Sequence, residues 1–543
     1  MVRRAIVRKN RYFDSVFLMQ VARRIAGQPG VRDASALMAT PANRKVLSGM
    51  GYGDEGRDAE FAAAAANDLL LALEGDEAAV DAIAADVDSW LAGAGGKASS
   101  DMGGASREPR SIAEAVKARP DSGVAVISVP GEHAAREARA ALQQGLNVFL
   151  FSSNVSVEDE LSLKTEARQR GLIVMGPDCG TAFLAGAGIG FANAVRRGPI
   201  GIVGGTGTGM QEFASLVHQA GSGISNGIGT GGRDLSDAVG GISTMTGIAA
   251  LESDPATQVI VVISKPPGAS ATALLAGRLR RCTKPVVLCL LGAEPASLGA
   301  IAAPAGGGPG VGGGQAVRVA STLDEAAGFA LAAVGVHEAA VLQGGDASLR
   351  ELASAQIGKM GPQQRHIRAL FAGGTLCYQS QVIFRRSGLV VYANSALAGM
   401  KELPDPWESR ENTFVDMGAE IFVEGRPHPM IDASLRAKRV ESEGADPSVA
   451  LLLLDFVLGA ISSADPVGDL LAAVKGAQEA AQRRGGYLCV VASVCGTDDD
   501  AQGLQTQKQA LDDAGVLVFP SNAQAAAFCA EAMGLLAARQ EVG

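Results

Sequence analysis

The stretch Gly201-Ile-Val-Gly-Gly-Thr-Gly-Thr-Gly209 runs from an apolar strand pattern straight into a helical one. Glycine admits the tight turn and lets backbone approach a ligand closely. The free N–H groups of a helix start, together with the positive end of its dipole, favour an anion. Gly204, Gly205, Gly207 and Gly209 would supply backbone, and Thr206 and Thr208 would add hydroxyl donors. The turn lacks the Gly-Lys-Ser/Thr ending of a Walker A loop. No acidic residue on a following strand completes a dinucleotide fingerprint. The pattern alone reads equally as an anion cradle or as a plain strand-to-helix turn.

A second candidate follows the apolar run Val449 to Leu454: Asp455-Phe-Val-Leu-Gly459, then Ser462-Ser463-Ala-Asp465-Pro466. Ser or Asp ahead of Pro at a helix start is ordinary capping chemistry, the favoured reading in isolation. A third is Gly176-Pro-Asp178-Cys179-Gly-Thr181, at the carboxyl end of a strand pattern, where α/β proteins place ligands. Cys179 invites a nucleophile reading, but no histidine can be placed beside it, and a structural thiol is favoured. The five histidines (His133, His218, His337, His366, His428) form no pair at metal-ligand spacing, so no metal site is expected. Arg426-Pro-His428-Pro-Met-Ile-Asp432 reads as a connector or a substrate loop, the connector slightly favoured.

Holding such turns requires strands and helices in alternation. The first hundred residues read as a small α+β unit: strands at Ala5–Val7 and Val31–Met38, helices over Phe13–Ile25 and Asp76–Leu91. Gly93–Arg110 is Gly- and Ser-rich and reads as a linker. A β-α-β rhythm follows, with strands at Val124–Val129, Asn147–Phe151 and Leu172–Met175, which implies a parallel sheet. A new unit opens at Pro199, with later strands at Val259–Ser264 and Pro285–Leu290 and a flexible Pro304–Gly314 loop. The last third reads as its diverged copy. Leu370-Phe-Ala-Gly-Gly-Thr375 echoes the Val203–Thr206 turn, and Asp446-Pro447 before a strand echoes Asp254-Pro255.

At 543 residues the chain is too long for one core. Its 47% hydrophobic content, 70 glycines and 4% aromatics suit apolar parallel strands with tight turns. A net charge of -10 argues against nucleic acid but not against a small anion held by backbone N–H groups. The seven cysteines form no C-x-x-C pair and read as reduced thiols of a reducing compartment. Every apolar run is broken by charge or glycine, so no membrane span and a cytoplasmic location are expected.

The chain resembles succinyl-CoA synthetase. Ser128-Val-Pro130, Met175–Cys179, Gly201–Thr208, Gly227-Ile-Gly-Thr-Gly-Gly232 and Lys284-Pro-Val-Val287 are similar to that enzyme's α subunit. Phe414-Val-Asp-Met-Gly418 and Val449–Gly459 are similar to the carboxy-terminal domain of its β subunit. The fused order, with an extra domain in front, resembles the FdrA proteins. The resemblance implies an α/β fold of several parallel-sheet domains, Rossmann-like and flavodoxin-like, behind a small N-terminal α+β domain. The expected divisions are 1–98 (α+β), 111–197 (Rossmann-like, CoA-binding-like), 198–340 (first flavodoxin-like domain) and 365–543 (second, CoA-ligase domain).

In the synthetases two helix starts hold the phosphate of a phosphohistidine. The resemblance assigns those roles to Gly204–Gly209 and to Gly459–Asp465 with Ser462 and Ser463. The phosphohistidine itself is missing, because Gly292–Pro304 holds no histidine, and Lys265 stands where its supporting glutamate would be. Neither the CoA-gripping loop nor the ATP-grasp half is recognisable. What the resemblance then implies is a subunit of oxamate carbamoyltransferase working with two other subunits in allantoin and purine breakdown. Its small anionic substrates would be carbamoyl phosphate, oxamate or oxalurate, and phosphate. Lys265, Thr206 and Thr208 would be catalytic donors, and Asn226, Arg233, Asp178 and Cys179 would line the substrate. No cofactor is assigned; CoA or a nucleotide belongs only to an alternative reading as an acid-CoA ligase acting with another subunit. A non-catalytic scaffold and a homo-oligomer stay open.

Overall fold

The computed structural model describes residues 2–542 except 12, 14, 50, 53–58, 93–108, 295–297, 300, 302–316, 338–345 and 425. The expected linker up to residue 108, the Pro304–Gly314 loop and much of Gly292–Pro304 lie outside the described residues. The chain divides into one unit of Met1–Glu108 with Val423–Pro427, and a second of Pro109–Phe422 with His428–Gly543.

The first unit is an antiparallel sheet of β1 (Val2–Arg8), β2 (Val31–Met38) and β3 (Leu69–Gly75) in the order β1-β3-β2. β3 is its buried central strand, although the spacing in that segment points to no strand. Asp68-Leu-Leu-Leu-Ala-Leu-Glu is a short apolar run, which periodicity cannot tell from a helix. The helix expected over Asp76–Leu91 is two helices, Glu77–Ala85 and Val87–Ala92, separated at Asp86. Leu18, Val21 and Ile25 of the helix Ser15–Ala26 pack with Leu69, Leu71 and Leu73 of β3.

The second unit holds three sheets. β4 (Val124–Ile127), β5 (Asn147–Leu150) and β6 (Val174–Met175) are parallel in chain order. Seven strands follow: β7 (Thr181–Leu184), β8 (Ala187–Gly190), β9 (Arg197–Gly204), β10 (Ile224–Gly229), β11 (Val259–Ser264), β12 (Val286–Leu290) and β13 (Val317–Ala320). Their order is β13-β12-β11-β9-β10-β7-β8, parallel except for the β7–β8 hairpin at one edge. The last sheet comprises β14 (His366–Phe371), β15 (Tyr392–Ala393), β16 (Lys401–Glu402), β17 (Thr413–Asp416), β18 (Val449–Val457), β19 (Cys489–Cys495) and β20 (Leu517–Phe519). It is parallel throughout, ordered β16-β15-β17-β14-β18-β19-β20.

The internal copy legible in the sequence is a topological one. β10-β9-β11-β12-β13 and β17-β14-β18-β19-β20 both have the order 2-1-3-4-5 of a flavodoxin-like sheet. In β11, β12, β18 and β19 every residue is buried, as strands covered by helices on both faces must be. The helices Gly207–Gln219, Leu323–Ala333, Gly374–Arg386 and Asn522–Val542 contribute to one core with residues from both sheets. That core includes Phe213, Ile202 and Val261 together with Phe371, Leu451 and Phe528. Open sheets of this order bind ligands beyond the carboxyl ends of strands 1 and 3, where the chain departs in opposite directions. Here those positions are β9 with β11, and β14 with β18. No described helix is long and apolar enough to cross a membrane.

Candidate functional site

β9 ends at Gly204, and the chain turns at once into the helix Gly207–Gln219. A Cβ on Gly204 would lie 2.6 Å from Met210 Cγ, and one on Gly209 would lie 2.7 Å from Thr206 Cγ2, so both positions require glycine. Thr206 is the extended N-cap, its Oγ1 accepting from the Gly209 N–H at 3.3 Å. The first turn carries no acidic residue, which leaves the positive helix end without a carboxylate of its own. Beside it Thr181 Oγ1, on β7, is buried and has no hydrogen-bond partner among the described residues.

The structure sets a second helix start against this one. After β14, Gly373 and Gly374 open the helix Gly374–Arg386, again with no acidic residue in its first turn. Thr206 Oγ1 meets Thr375 Oγ1 in a close contact, and a Cβ on Gly373 would lie 3.1 Å from Thr208 Cγ2. The turn is shaped by Asp455 of β18, which accepts the Ala372 and Gly373 N–H groups at 2.7 Å each. Asp455 is wholly buried and pairs with buried Arg436 at 2.7 Å. Burial pushes the Asp455 carboxyl up and the Arg436 charge pulls it back.

Asp416, the last residue of β17, stands at the same helix start. Its Oδ2 would lie 2.5 Å from a Cβ on Gly374, while its Oδ1 accepts from the Gly418 N–H at 3.0 Å. Burial raises its pKa to about 6, with Lys265 opposing. Lys265, exposed at the end of β11, holds its Nζ 5.2 Å from the centre of the Tyr378 ring, one helical turn beyond Gly374. A Cβ on Gly292, which follows β12, would lie 3.0 Å from the same ring. Exposed Asp178 belongs to this surface: the protein around it raises its pKa, and Arg233 and Lys265 lower it.

The remaining expected residues sit elsewhere. Gly459 has a φ of 135° and packs on the Phe191 carbonyl, and the Leu458 carbonyl accepts from Gln211 of the 207–219 helix at 3.2 Å. The helix Gly468–Arg483 beyond it starts with N–H groups that side chains already take. Asp465 Oδ1 takes the Gly468 N–H at 3.0 Å, and Gln507 takes the Val467 N–H at 2.9 Å. Ser463 bonds Asp469, and Ser462 Oγ is buried without a partner among the described residues. Gly459, Ser462, Asn193, Asp500 and Gln502 line a separate cavity of about 670 Å³. Asn226 is tied to Asp254 at 3.0 Å and to the Ala185 N–H at 2.8 Å, on the side of the sheet where β11 begins. Arg233 donates to the Val155 carbonyl at 2.7 Å and pairs with Glu160 at 3.0 Å. Burial pushes the Cys179 thiol up to about 12, which makes it a poor nucleophile. All seven cysteines are free and buried. His428 lies with its ring 5.6 Å from that of Phe191, its pKa lowered to about 4 by burial.

The two helix starts brought together are thus Gly204–Gly209 and Gly373–Thr375. Thr375, Asp416 and Asp455 stand in stretches that the sequence singles out, but neither they nor Tyr378 carry a local spacing that assigns them to this helix start. The one available signal was the echo of Val203–Thr206 in Leu370–Thr375, which marks equivalent positions in two copied folds.

A family model described as CoA-ligase matches residues 370–532. A model described as AllF, heavy metal-associated domain, matches residues 1–109. The uncharacterized protein YahF of Escherichia coli (strain K12) is 40% identical over 525 residues, covering 95% of this chain and 96% of that protein. Among solved structures, the apo dinucleotide-forming acetyl-coenzyme A synthetase 1 of Ca. Korarchaeum cryptofilum is 16% identical. It covers 77% of this chain and 84% of its own, with a TM-score of 0.30. The ATP citrate lyase of Methanothrix soehngenii, in complex with citrate and coenzyme A, is 14% identical. It covers 80% of this chain and 85% of its own, with a TM-score of 0.33. Residues 1–109 contain neither cysteine nor histidine, so their donor set does not fit a heavy metal.

Proposed function

The chain belongs to the family of Escherichia coli YahF, and from that premise we propose that it is the carbamoyl-transfer subunit of an FdrA-type oxamate carbamoyltransferase. The observation that carries this reading is the meeting of two helix starts, neither with a first-turn acid, beside Lys265. Two positive helix ends facing each other favour an anion between them. First-turn N–H groups have no partner within their helix, so those of residues 207–208 and 374–376 would hold the phosphate of carbamoyl phosphate. Lys265 would offset charge as phosphate leaves.

Direct attack by the oxamate nitrogen on the carbamoyl carbon needs no enzyme-bound phosphate, which accords with a Gly292–Pro304 stretch that lacks histidine. The match of residues 1–109 to an AllF domain supports the link to allantoin breakdown. The reading is tested with the purified chain in complex with its two partner subunits, assayed for phosphate-dependent breakdown of oxalurate. Carbamoyl phosphate is the expected product, and its absence from the full complex overturns the reading.

The CoA-ligase match over residues 370–532 favours a second reading, an acid-CoA ligase completed by another subunit. Under it, labelled CoA, ATP and short carboxylic acids incubated with the complex yield an acyl-CoA.

A further inference from the structure

Three contacts fall within little more than one turn of the 374–386 helix. Asp416 lies against Gly374, Thr206 against Thr375, and Lys265 over Tyr378. Gly374 and Tyr378 are four residues apart, so Asp416 and Lys265 share one face of the helix start. Asp416 is also held more firmly than a loop carboxylate. Asn394 accepts its N–H at 2.8 Å and donates to its carbonyl at 2.9 Å, and the Gly418 N–H fixes Oδ1. Oδ2 takes no hydrogen bond among the described residues, and it approaches Gly374 so closely that no side chain fits there. One carboxylate oxygen is therefore positioned by backbone while the other stays free at the helix start.

We propose that Asp416 is the catalytic base of this site, taking the proton from the amide nitrogen that attacks the carbamoyl carbon. The assignment rests on the carbamoyl-transfer reading. As the new C–N bond forms, the oxamate nitrogen gives a proton to Asp416 Oδ2. The carbamoyl C–O bond breaks with its electron pair leaving on phosphate. The proton then passes to that phosphate. Carbamoyl phosphate dianion and oxamate thereby give oxalurate and hydrogen phosphate, with atoms and charge balanced. Burial raises the Asp416 pKa and neighbouring Asp455 adds to the rise, while Lys265 opposes it, so the group sits near the range in which a base works at neutral pH.

The complex with both partner subunits is assayed in each direction. Asp416→Asn is expected to lower kcat by ~10²- to 10⁴-fold, the usual contribution of a general base. The KM for phosphate is not expected to rise, because Asn is similar in size and removes a negative charge beside the N–H groups of residues 374–376. Asp416→Ala is expected to regain rate with added formate, which a merely structural role would not allow. Asn394→Ala, which loosens the Asp416 backbone and leaves both helix starts alone, is expected to lower kcat in the same direction and to a smaller degree. It carries the test if the Asp416 variants fail to fold. Full activity of folded Asp416→Asn, or a folded Asp416→Ala without formate rescue, overturns the base assignment and leaves carbamoyl transfer standing. A wild-type complex that makes no carbamoyl phosphate overturns the parent reading instead.

Discussion

Glu212, one turn beyond Thr208 on the same helix, is 2% exposed, and its Oε1 accepts from the Asn522 N–H at 2.9 Å. Burial, reinforced by Asp324, raises its pKa to about 7 from an ordinary 4.5. The folded chain therefore holds a proton that the unfolded chain releases. This group's contribution to stability is full below pH 4.5 and is lost as pH rises to about 7. Asp324, raised to about 6, adds to the same slope. Glu212→Gln keeps an acceptor for Asn522 and has no charge to bury. It should melt higher than the parent at pH 8, by about 2–3 kcal/mol in unfolding free energy, and flatten the pH dependence above 5. Thermal melts across pH 4.5–8 check this, and equal melting temperatures at pH 8 would contradict it. At this scale Thr206 and Thr208 were readable as hydroxyls of a glycine-rich turn after an apolar strand run, whereas Lys265 entered only through the resemblance to succinyl-CoA synthetase. Asp416 and Asp455 end or interrupt such runs too, but nothing in their local spacing says which turn they serve.

The two helix starts differ in how they are satisfied. Thr206 caps its own helix through the Gly209 N–H, whereas the turn before the 374–386 helix borrows Asp455 from a neighbouring strand. Thr206→Ala removes the cap and the Thr375 contact together, and should cost about 1 kcal/mol of stability, with Thr206→Ser recovering most of it. Urea unfolding of the three proteins compares them, and an alanine variant as stable as the parent would show the cap to be idle. The Gly459–Asp465 turn shows the limit of motif matching. Its glycine is required by close packing on Phe191, and its following helix is capped by Asp465 and Gln507. A cap sequence and an anion cradle look alike until the partners of the N–H groups are known.

Between layers of the second unit the connection is partly ionic, beside the apolar packing of Phe149 and Met175 with Val203 and Ile228. Lys164, on the helix Val157–Gln169, is wholly buried and donates to Glu160 at 2.7 Å, Asp234 at 2.7 Å and the Thr230 carbonyl at 2.9 Å. It ties the β4–β6 layer to the loop after β10, which also carries Arg233. Lys164→Met would leave two buried carboxylates short of a partner, at a cost of about 3–5 kcal/mol, and adding Asp234→Asn should return part of it. Chemical denaturation of the single and double variants measures this; a single variant within 1 kcal/mol of the parent, on the scale of an exposed pair, would refute it. What the sequence by itself determined is the α/β class, the strand runs of the parallel sheets, the glycines of the first turn and the repeat between the two halves. Each is local, set by the hydrophobic period, the φ range or the steric limit of a few neighbouring residues. Tertiary structure alone decided that Gly204–Gly209 faces Gly373–Thr375, that Asp416 joins them, and that Asn226 lies away from them. Parallel strands are joined by long crossovers, so which carboxyl ends meet is settled by sheet order and by the helices packed between sheets, and neither is written in residue spacing.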